Sequence, residues 1–179
     1  MKYHTESIIL SSSRLLFRQH IMADMDAYCA MEMDPDVRHY VGGQPRSRED
    51  AERRFMSSLK PVTDRLSMWA TVLKENGQYI GRCGVYPHFN SAGFPIKGEG
   101  SIAFYIAKEF WGNGYATEAG QAFLRFGFDE LHLNRIVTMV QVGNDASVRV
   151  LEKIGFDLER TEEGVRSFYH FSLKNLTDK

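Results

Sequence analysis

Residues 110–119 read Phe-Trp-Gly-Asn-Gly-Tyr-Ala-Thr-Glu-Ala, and they place two glycines directly before a predicted helix. An apolar run over residues 102–106 precedes them and indicates a buried strand, while residues 116–128 repeat apolar side chains at helical spacing. The first amides of a helix have no partners within the helix and lie at the positive end of its dipole, so they attract phosphate. Glycine suits such a turn because the backbone must approach the ligand closely and can adopt positive φ.

Two common phosphate-binding motifs do not fit this turn. The dinucleotide fingerprint requires a third glycine where the chain has Thr117, and an acidic residue at the end of the next strand. The P-loop requires Gly-Lys-Ser or Gly-Lys-Thr, which the chain lacks. The sequence therefore indicates another kind of phosphate-binding loop.

The turn resembles the acetyl-CoA pyrophosphate loop of the GNAT N-acetyltransferase superfamily, written Arg/Gln-x-x-Gly-x-Gly/Ala. Trp111 takes the Arg/Gln place, Gly114 the glycine place and Ala116 the Gly/Ala place. The string from Trp111 to Ala119 is similar to the Rim-type branch, whose best known members acetylate the N-termini of ribosomal proteins. Residues 34–40 and 144–156 are also similar to the superfamily, and the resemblance covers roughly residues 14–173.

The resemblance implies that acetyl-CoA is the acyl donor. The resemblance also implies which backbone amides face the pyrophosphate: those of Gly112, Asn113, Gly114, Tyr115, Ala116 and Thr117. Because the Trp111 side chain cannot pair with phosphate, these amides must do more of the binding than in the general motif. The backbone of Phe104, Tyr105 and Ile106 is expected to pair with the pantetheine arm like an additional strand. Asn144 matches the family asparagine that contacts this arm, and it also fits an ordinary helix N-cap.

Acetyl transfer also needs a group that stabilises the departing thiolate. Many GNAT enzymes have a tyrosine four residues before a Gly-Phe pair, and here that position is Leu151, which has no proton to donate. Ser147 lies one turn earlier and is the candidate catalytic hydrogen-bond donor to the sulfur, although a capping serine is an equally simple interpretation.

The attacking amine must lose a proton. The Rim-type branch often has glutamate at the place of Ser101, so Glu99, two residues earlier on the same strand face, is the candidate catalytic base. His88 and Tyr86 are alternatives, and a solvated strand-end carboxylate is the simpler interpretation of Glu99. At pH 7 only about 0.04% of a lysine amine with a pKa of ~10.4 is neutral, against roughly 10% of an α-amine with a pKa near 8.

The sequence does not identify the acceptor beyond a primary amine, either a protein N-terminus or a small molecule such as an aminoglycoside, a polyamine or an amino-acid amine. Its site is expected among the first helix pair, residues 38–46 and 87–97 and the C-terminal hairpin, with four aromatic candidates: Tyr40, Phe89, Phe94 and Tyr169. No cysteine has an activated context, which favours direct transfer in a ternary complex. A CoA-binding sensor or scaffold without turnover is the alternative, because serine and leucine replace the usual glutamate and tyrosine.

Hydrophobic periodicity predicts a strand, two helices, three strands, a helix, a strand, a helix and two strands. The predicted segments are residues 15–18, 24–33, 47–60, 67–74, 79–86, 99–106, 116–128, 135–142, 146–154, 156–161 and 165–173, with a loop over 87–98 and a further strand start at 8–10. The order matches an α/β (α+β) GNAT fold: one domain over residues 1–179 with a mixed, largely antiparallel sheet, splayed between the family's fourth and fifth strands, and helices on both faces.

Composition narrows the partners. The chain has 179 residues, 22 basic and 23 acidic, so no bulk charge favours nucleic acid or an anionic membrane. Two isolated cysteines and six scattered histidines give no metal or disulfide pattern. No membrane span or signal layout is present, so we expect a cytoplasmic protein with reduced thiols. Homodimers are frequent in the branch that the chain resembles.

Overall fold

The computed structural model describes residues 8–61 and 65–175, in which eight strands form one sheet. The strands are β1 Ile8–Ser11, β2 Leu15–Arg18, β3 Ser67–Leu73, β4 Tyr79–Phe89, β5 Pro95–Ile106, β6 Arg135–Gln141, β7 Asp157–Glu162 and β8 Phe168–Lys174. The α-helices are α1 Met25–Met33, α2 Pro35–His39, α3 Arg48–Ser58, α4 Tyr115–Arg125 and α5 Asp145–Lys153. A π-helical turn, Phe126–Glu130, continues α4.

The sheet order is β1-β2-β3-β4-β5-β6-β8-β7, and every neighbouring pair is antiparallel except β5 with β6. The parallel register runs from Glu99 opposite Arg135 to Ser101 opposite Val137. Beyond it, β5 continues to Ile106 and β6 to Gln141 with no further register between them in the described chain. The predicted mixed sheet that splays between these two strands is confirmed.

Helices cover both faces of the sheet and bury two separate clusters. On one face α4 and α5 pack on the strands through a large core that includes Phe123, Ile136 and Leu151. On the other face α1 and α3 bury a smaller core, in which Ala51 and Phe55 lie one turn apart on α3 and are fully buried. The helix predicted over residues 47–60 is therefore present as α3, with its apolar side against the sheet.

Some predicted boundaries are wrong. The predicted loop over residues 87–98 is shorter, because β4 and β5 continue to Phe89 and from Pro95 around a tight turn. In that turn the Asn90 side chain accepts the amides of Ala92 and Phe94 at 3.0 Å each. Such local side-chain bonds close a turn that the run of Pro, Asn, Ser and Gly had suggested was irregular.

The start of the first helix also differs in its chemistry. Asp24 precedes α1 as predicted, yet its carboxylate makes no cap bond to that helix. The carboxylate instead accepts hydrogen bonds from both terminal nitrogens of Arg18, at 2.7 Å each. Asp34 caps α2, a helix of five residues that the sequence pattern did not predict, by accepting the amides of Asp36 and Val37. Five residues are too few to display helical periodicity.

His20 is a buried titratable group beside the smaller core. It is 3% exposed, and its ring lies within about 6 Å of the rings of Tyr28, Phe55 and Tyr79. Removal from water lowers the pKa of His20 from 6.5 to about 4, and Asp24 opposes this shift only in part. His20 is therefore neutral in the folded protein at neutral pH.

This burial predicts an acid-sensitive contribution to stability. The unfolded chain binds a proton at His20 below pH ~6.5 but the folded chain does so only near pH 4, so the contribution is complete above pH ~6.5 and decreases as the pH falls towards 4. The unfolding free energy of the unsubstituted protein decreases between pH 7 and pH 5. We expect this decrease to be about 2 kcal/mol smaller in His20→Gln, as measured by urea titration at the two pH values. The exposed His39→Gln is the control, and an equal reduction in both variants would contradict the assignment.

Candidate active site

The loop before α4 has the backbone geometry of an anion-binding helix start. Gly112 and Gly114 both have φ of +78°, and Gly114 is the N-cap residue. The first backbone bond of the helix joins the Glu118 amide to the Gly114 carbonyl at 3.0 Å. The amides of residues 115–117 therefore have no carbonyl one turn earlier within the helix. A side chain at Gly112 would meet no atom within 4 Å, so the positive φ is what requires glycine there.

Side chains of the loop fix its position against the strand. The Trp111 indole donates to the Ile106 carbonyl at 2.7 Å, and the Asn113 amide donates to the carbonyls of Phe110 and Trp111 at 3.1 Å each. Trp111 thus holds the loop at the end of β5, in the place where the family motif has a phosphate-binding side chain.

The β1–β2 turn clamps the same loop from outside. Arg14 donates to the Asn113 carbonyl at 3.1 Å and to the Glu118 carboxylate at 2.6 Å, and the Ser12 hydroxyl donates to Glu118 at 2.7 Å. Glu118 lies in the first turn of α4, where a carboxylate complements the helix dipole. It also joins the first hairpin to the loop.

The second half of β5 presents a free backbone edge. Phe104, Tyr105 and Ile106 pair with β4 on one side and lie beyond the last residue pair with β6 on the other. An extended ligand could add to such an edge by main-chain hydrogen bonds. Phe104 packs against the core beneath α4, whereas Tyr105 faces the α1/α3 side of the sheet.

The start of α5 lies at the same edge of the sheet, because β5 and β6 are parallel and both lead into helices. The Asn144 side chain accepts the Ser147 amide at 3.2 Å, so Asn144 is the N-cap. The Ser147 hydroxyl makes no side-chain bond within the described ranges, and Leu151 is buried in the core. Gly120 lets the helices approach, since a Cβ there would lie 2.7 Å from the Cδ1 atom of Ile154 on the α5 side.

Glu99 lies at the closed end of the cleft, within a charged cluster. Nη1 of Arg135 donates to both oxygens of Glu99 at 3.2 Å, and Nη2 of Arg135 binds Glu159. His88 bridges towards the cleft, with its Nε2 atom 3.8 Å from Glu99 and its Nδ1 atom 3.0 Å from the Ser101 hydroxyl. The structure therefore groups the candidate base with His88 and Ser101.

Tyr86, the other alternative base, lies opposite Ser101 on β4. Burial, and next the neighbouring Tyr105, raise the pKa of Tyr86. Its phenol therefore stays protonated at neutral pH and can donate a hydrogen bond, which makes it a poor proton acceptor.

A cavity of about 370 Å³ opens on the α1/α3 face next to Tyr105. Its lining consists of Arg38, Val41, Gly42, Arg46, Arg54, Met68, Arg82, Tyr86 and Tyr105. The segment 38–46, which was predicted to contribute to the acceptor site, supplies four of these residues. The four predicted aromatic residues are not in the lining: Phe89 and Phe94 are exposed at the hairpin, Tyr169 packs on the core, and Tyr40 lies against His39.

Sequence reasoning named the segments that carry Arg38, Arg46 and Arg54 but assigned no role to any arginine, and it missed Arg82. Two signals existed: Arg82 interrupts an apolar strand, and Glu32 lies on the inner face of α1. Fully buried charged residues are rare unless paired, so a charge of each sign at such positions could have predicted a buried ion pair. That Arg82 pairs with Glu32 could be seen only in the structure, because 50 residues separate them in the chain.

The described residues offer no other catalytic centre. Cys29 and Cys83 are buried free thiols, and burial raises the pKa of Cys83 to about 12, so neither is an activated nucleophile. Residues 8–61 and 65–175 contain no cluster of three potential metal ligands. None of the helices described there has the length and apolarity needed to cross a membrane.

The chain is similar to known proteins in sequence and in fold. A family model described as "Acetyltransferase (GNAT) domain" matches residues 14–157. The "Uncharacterized N-acetyltransferase p20" of Bacillus licheniformis is 28% identical over 173 residues, covering 92% of this chain and 94% of that protein. The "Putative ribosomal N-acetyltransferase YdaF" of Bacillus subtilis is 41% identical over 61 residues, 34% of this chain and 33% of that protein. A GNAT-family acetyltransferase structure from Bacillus anthracis superposes with a TM-score of 0.82 at 24% identity, covering 92% of this chain and 97% of that one.

The chain belongs to the GNAT acetyltransferase family, since the family model spans most of its length. It is an N-acetyltransferase, and its family uses acetyl-CoA as co-substrate and an amine as acceptor. The residues present fit this coenzyme: the amides at the start of α4 lack helical partners, and the open edge of β5 ends beside them.

Because Gly114 has a positive φ, replacing it by alanine should weaken acetyl-CoA binding, and a control variant can separate this effect from general backbone strain. Alanine in the left-handed region costs about 1–2 kcal/mol, so we expect Gly114→Ala to weaken acetyl-CoA binding about tenfold in calorimetric titrations, as the amides turn away. Gly93→Ala is the matched control, because Gly93 has φ of +81°, no atom near its Cβ position and a place at the remote hairpin. Equal affinity losses in the two variants would contradict a coenzyme-binding role for the loop.

Proposed function

We propose that this protein transfers the acetyl group of acetyl-CoA to a primary amine by direct attack in a ternary complex. The observation that carries the proposal is the meeting of two features at one sheet edge, the bare amides at the start of α4 and the unpaired half of β5. One feature suits a diphosphate and the other an extended amide-bearing arm.

Twelve residues take part in this proposal. The pyrophosphate is held by the amides of Gly112, Asn113, Gly114, Tyr115, Ala116 and Thr117, the arm by the backbone of Phe104, Tyr105 and Ile106 and by Asn144, and the chemistry is assigned to Glu99 and Ser147. The cap bond from Asn144 to the Ser147 amide uses one lone pair of the side-chain oxygen, and the Asn144 NH₂ group remains able to donate.

The reaction forms a bond between the amine nitrogen and the acetyl carbon and breaks the carbon–sulfur bond of the thioester. Negative charge develops first on the carbonyl oxygen and then on the sulfur. A backbone N–H of β5 stabilises the first charge, because fixed donors aimed at a developing charge need no reorganisation. The Ser147 hydroxyl, at the positive end of the α5 dipole, polarises the departing sulfur.

The proton lost by the amine passes to the group formed by Glu99 and His88. Their 3.8 Å separation and the contact of His88 with Ser101 make a polar path from the cleft to the carboxylate. An imidazole can accept a proton at one ring nitrogen and donate one from the other, so His88 is a suitable carrier between the cleft and Glu99.

An α-amine is favoured over a lysine amine as the acceptor, because it is neutral more often and asks about 3 kcal/mol less of any base. The resemblance to the Rim-type branch and the partial similarity to a putative ribosomal N-acetyltransferase support the same choice. The unusual serine and leucine at the two family positions favour the rival candidate, a CoA-binding sensor without turnover.

A thiol-release assay separates the enzyme from the sensor. The protein is incubated with acetyl-CoA and a panel of α-amines, lysine side-chain analogues, amino acids and peptides, and free CoA is followed with a thiol reagent. We expect release that depends on the amine and is fastest with α-amines. Coenzyme binding without release across the whole panel would favour the sensor.

Glu99→Gln tests the proton path. We expect at least a tenfold fall in kcat and a change in its pH profile, since general base groups contribute about 10²–10⁴-fold. Glu159→Gln is the matched control, because it removes the other carboxylate bound to Arg135 and has no recorded contact with His88 among the described residues. An unchanged pH profile in Glu99→Gln would remove this residue from the mechanism.

A further inference from the structure

The cavity beside Tyr105 carries an excess of positive charge. Four arginines line it, Arg38, Arg46, Arg54 and Arg82. The carboxylates that contact them belong to Glu32 and Asp50. Four guanidiniums against two carboxylates leave the lining with two uncompensated positive charges.

Glu32 holds most of these arginines in place without neutralising them. Its side chain is only 2% exposed and accepts a hydrogen bond from Nε of Arg46 at 2.7 Å. The same carboxylate lies 3.4 Å from Nη1 of Arg38 and accepts a hydrogen bond from Arg82. One carboxylate therefore orders three guanidiniums, whose planar forks match a further carboxylate. Arg82 is fixed additionally by a 2.7 Å bond to the Tyr28 hydroxyl.

The cavity adjoins the stretch of β5 where transfer is proposed. Arg82 on β4 is the register partner of Tyr105, and Tyr105 lies beyond the last residue pair of β5 with β6. Tyr86, also in the lining, is the register partner of Ser101. The volume of about 370 Å³ is within the ~300–1,000 Å³ range of small-molecule sites.

We propose that the acceptor is a primary amine that also carries a carboxylate, and that this arginine cavity binds the carboxylate. The inference rests on the proposed function, since it assigns the acceptor of the same site. It excludes polyamines and aminoglycosides, because these polycations would meet four guanidiniums. Free amino acids and peptides with an acidic residue near the N-terminus share the required chemistry.

The same charge also assists the reaction. Nearby positive charges disfavour the ammonium form of an amine and so favour the neutral form that attacks. An acceptor anchored by its carboxylate would therefore hold its nitrogen in an environment that already favours loss of the amine proton, so a weaker base suffices. This accounts for Ser101 on β5, at the position where the Rim-type branch often has glutamate.

Arg54 gives the cleanest test, because its side chain is 54% exposed and its contact with Asp50 is 3.6 Å long, so its loss leaves the Glu32 cluster intact. Arg53 is the matched control: it lies next to Arg54 on α3, is 69% exposed and is 3.7 Å from Asp50, but it does not line the cavity. Arg54→Gln and Arg53→Gln therefore remove the same charge from the same helix.

The experiment compares amino acids with their carboxamides, and the dipeptide amide Asp-Ala-NH₂ with Asn-Ala-NH₂, in kcat/KM by thiol release and in Kd by calorimetry with CoA present. We expect each acid to be preferred over its amide by about tenfold in kcat/KM and in affinity. Arg54→Gln should lower kcat/KM and affinity for the acids about three- to tenfold and change the values for the amides by less than about twofold. Arg53→Gln should change every value by less than about twofold. The amino-acid and dipeptide pairs show which source of carboxylate is preferred.

Three results would overturn the inference: preference for the amides or for spermidine, equal effects of the two arginine variants, or a rise in the KM for acetyl-CoA in place of the acceptor effect. Absence of thiol release with every amine would contradict the proposed function instead. The calorimetric preference for acid over amide would still decide whether the cavity binds carboxylate.

Discussion

The rest of the site depends on a parallel pairing that stops after three residue pairs. All other strand pairs in the sheet are antiparallel, so β5 and β6 alone have neighbouring carboxyl ends. Each of these ends leads towards a helix, and at α4 no side-chain cap bond occupies the first amides, whereas Asn144 caps α5. The crevice outside parallel strand ends is where ligands bind in open sheets. Had the pairing continued to the ends of both strands, the free backbone of β5 would have been consumed by β6.

A second constraint acts on the opposite face, where Glu32 is buried among three arginines. Burying a charge is costly unless partners compensate it, and here one carboxylate on α1 does so for guanidiniums on α2, β4 and the segment before α3. The cluster thus connects two helices, a strand and a loop at the mouth of the cavity. In the proposed acceptor site, stability and recognition depend on the same side chains.

The fold could be predicted largely from the sequence because its signals are local. The glycine turn before α4, the Asn76-Gly77 pair between β3 and β4 and the β-branched run of β6 each specify their own structure, and the predicted splay follows from the resemblance. The loop residues proposed to hold the coenzyme were chosen from the same kind of local signal. The helix α2 has only five residues, fewer than two helical turns, so hydrophobic periodicity could not predict it.

The acceptor side could not be predicted, because its residues meet only through the fold. Arg46, Arg54 and Arg82 come from a loop, a helix and a strand, and no spacing in the chain joins them. Exposed aromatic residues such as Phe94 looked suitable by type, but the hairpin places them away from the cavity. Glu99 illustrates the same limit, since its pairing with Arg135 depends on a strand register that periodicity does not specify.

The clamp formed by Arg14 and Ser12 links the amino-terminal hairpin to the coenzyme loop through Glu118. In the proposed coenzyme site, a bulky affinity tag fused upstream or a protein docking on β1 would disturb this hairpin and, through the Arg14 and Ser12 contacts, the loop before α4. Changes at this edge of the sheet would then alter how firmly the protein retains CoA.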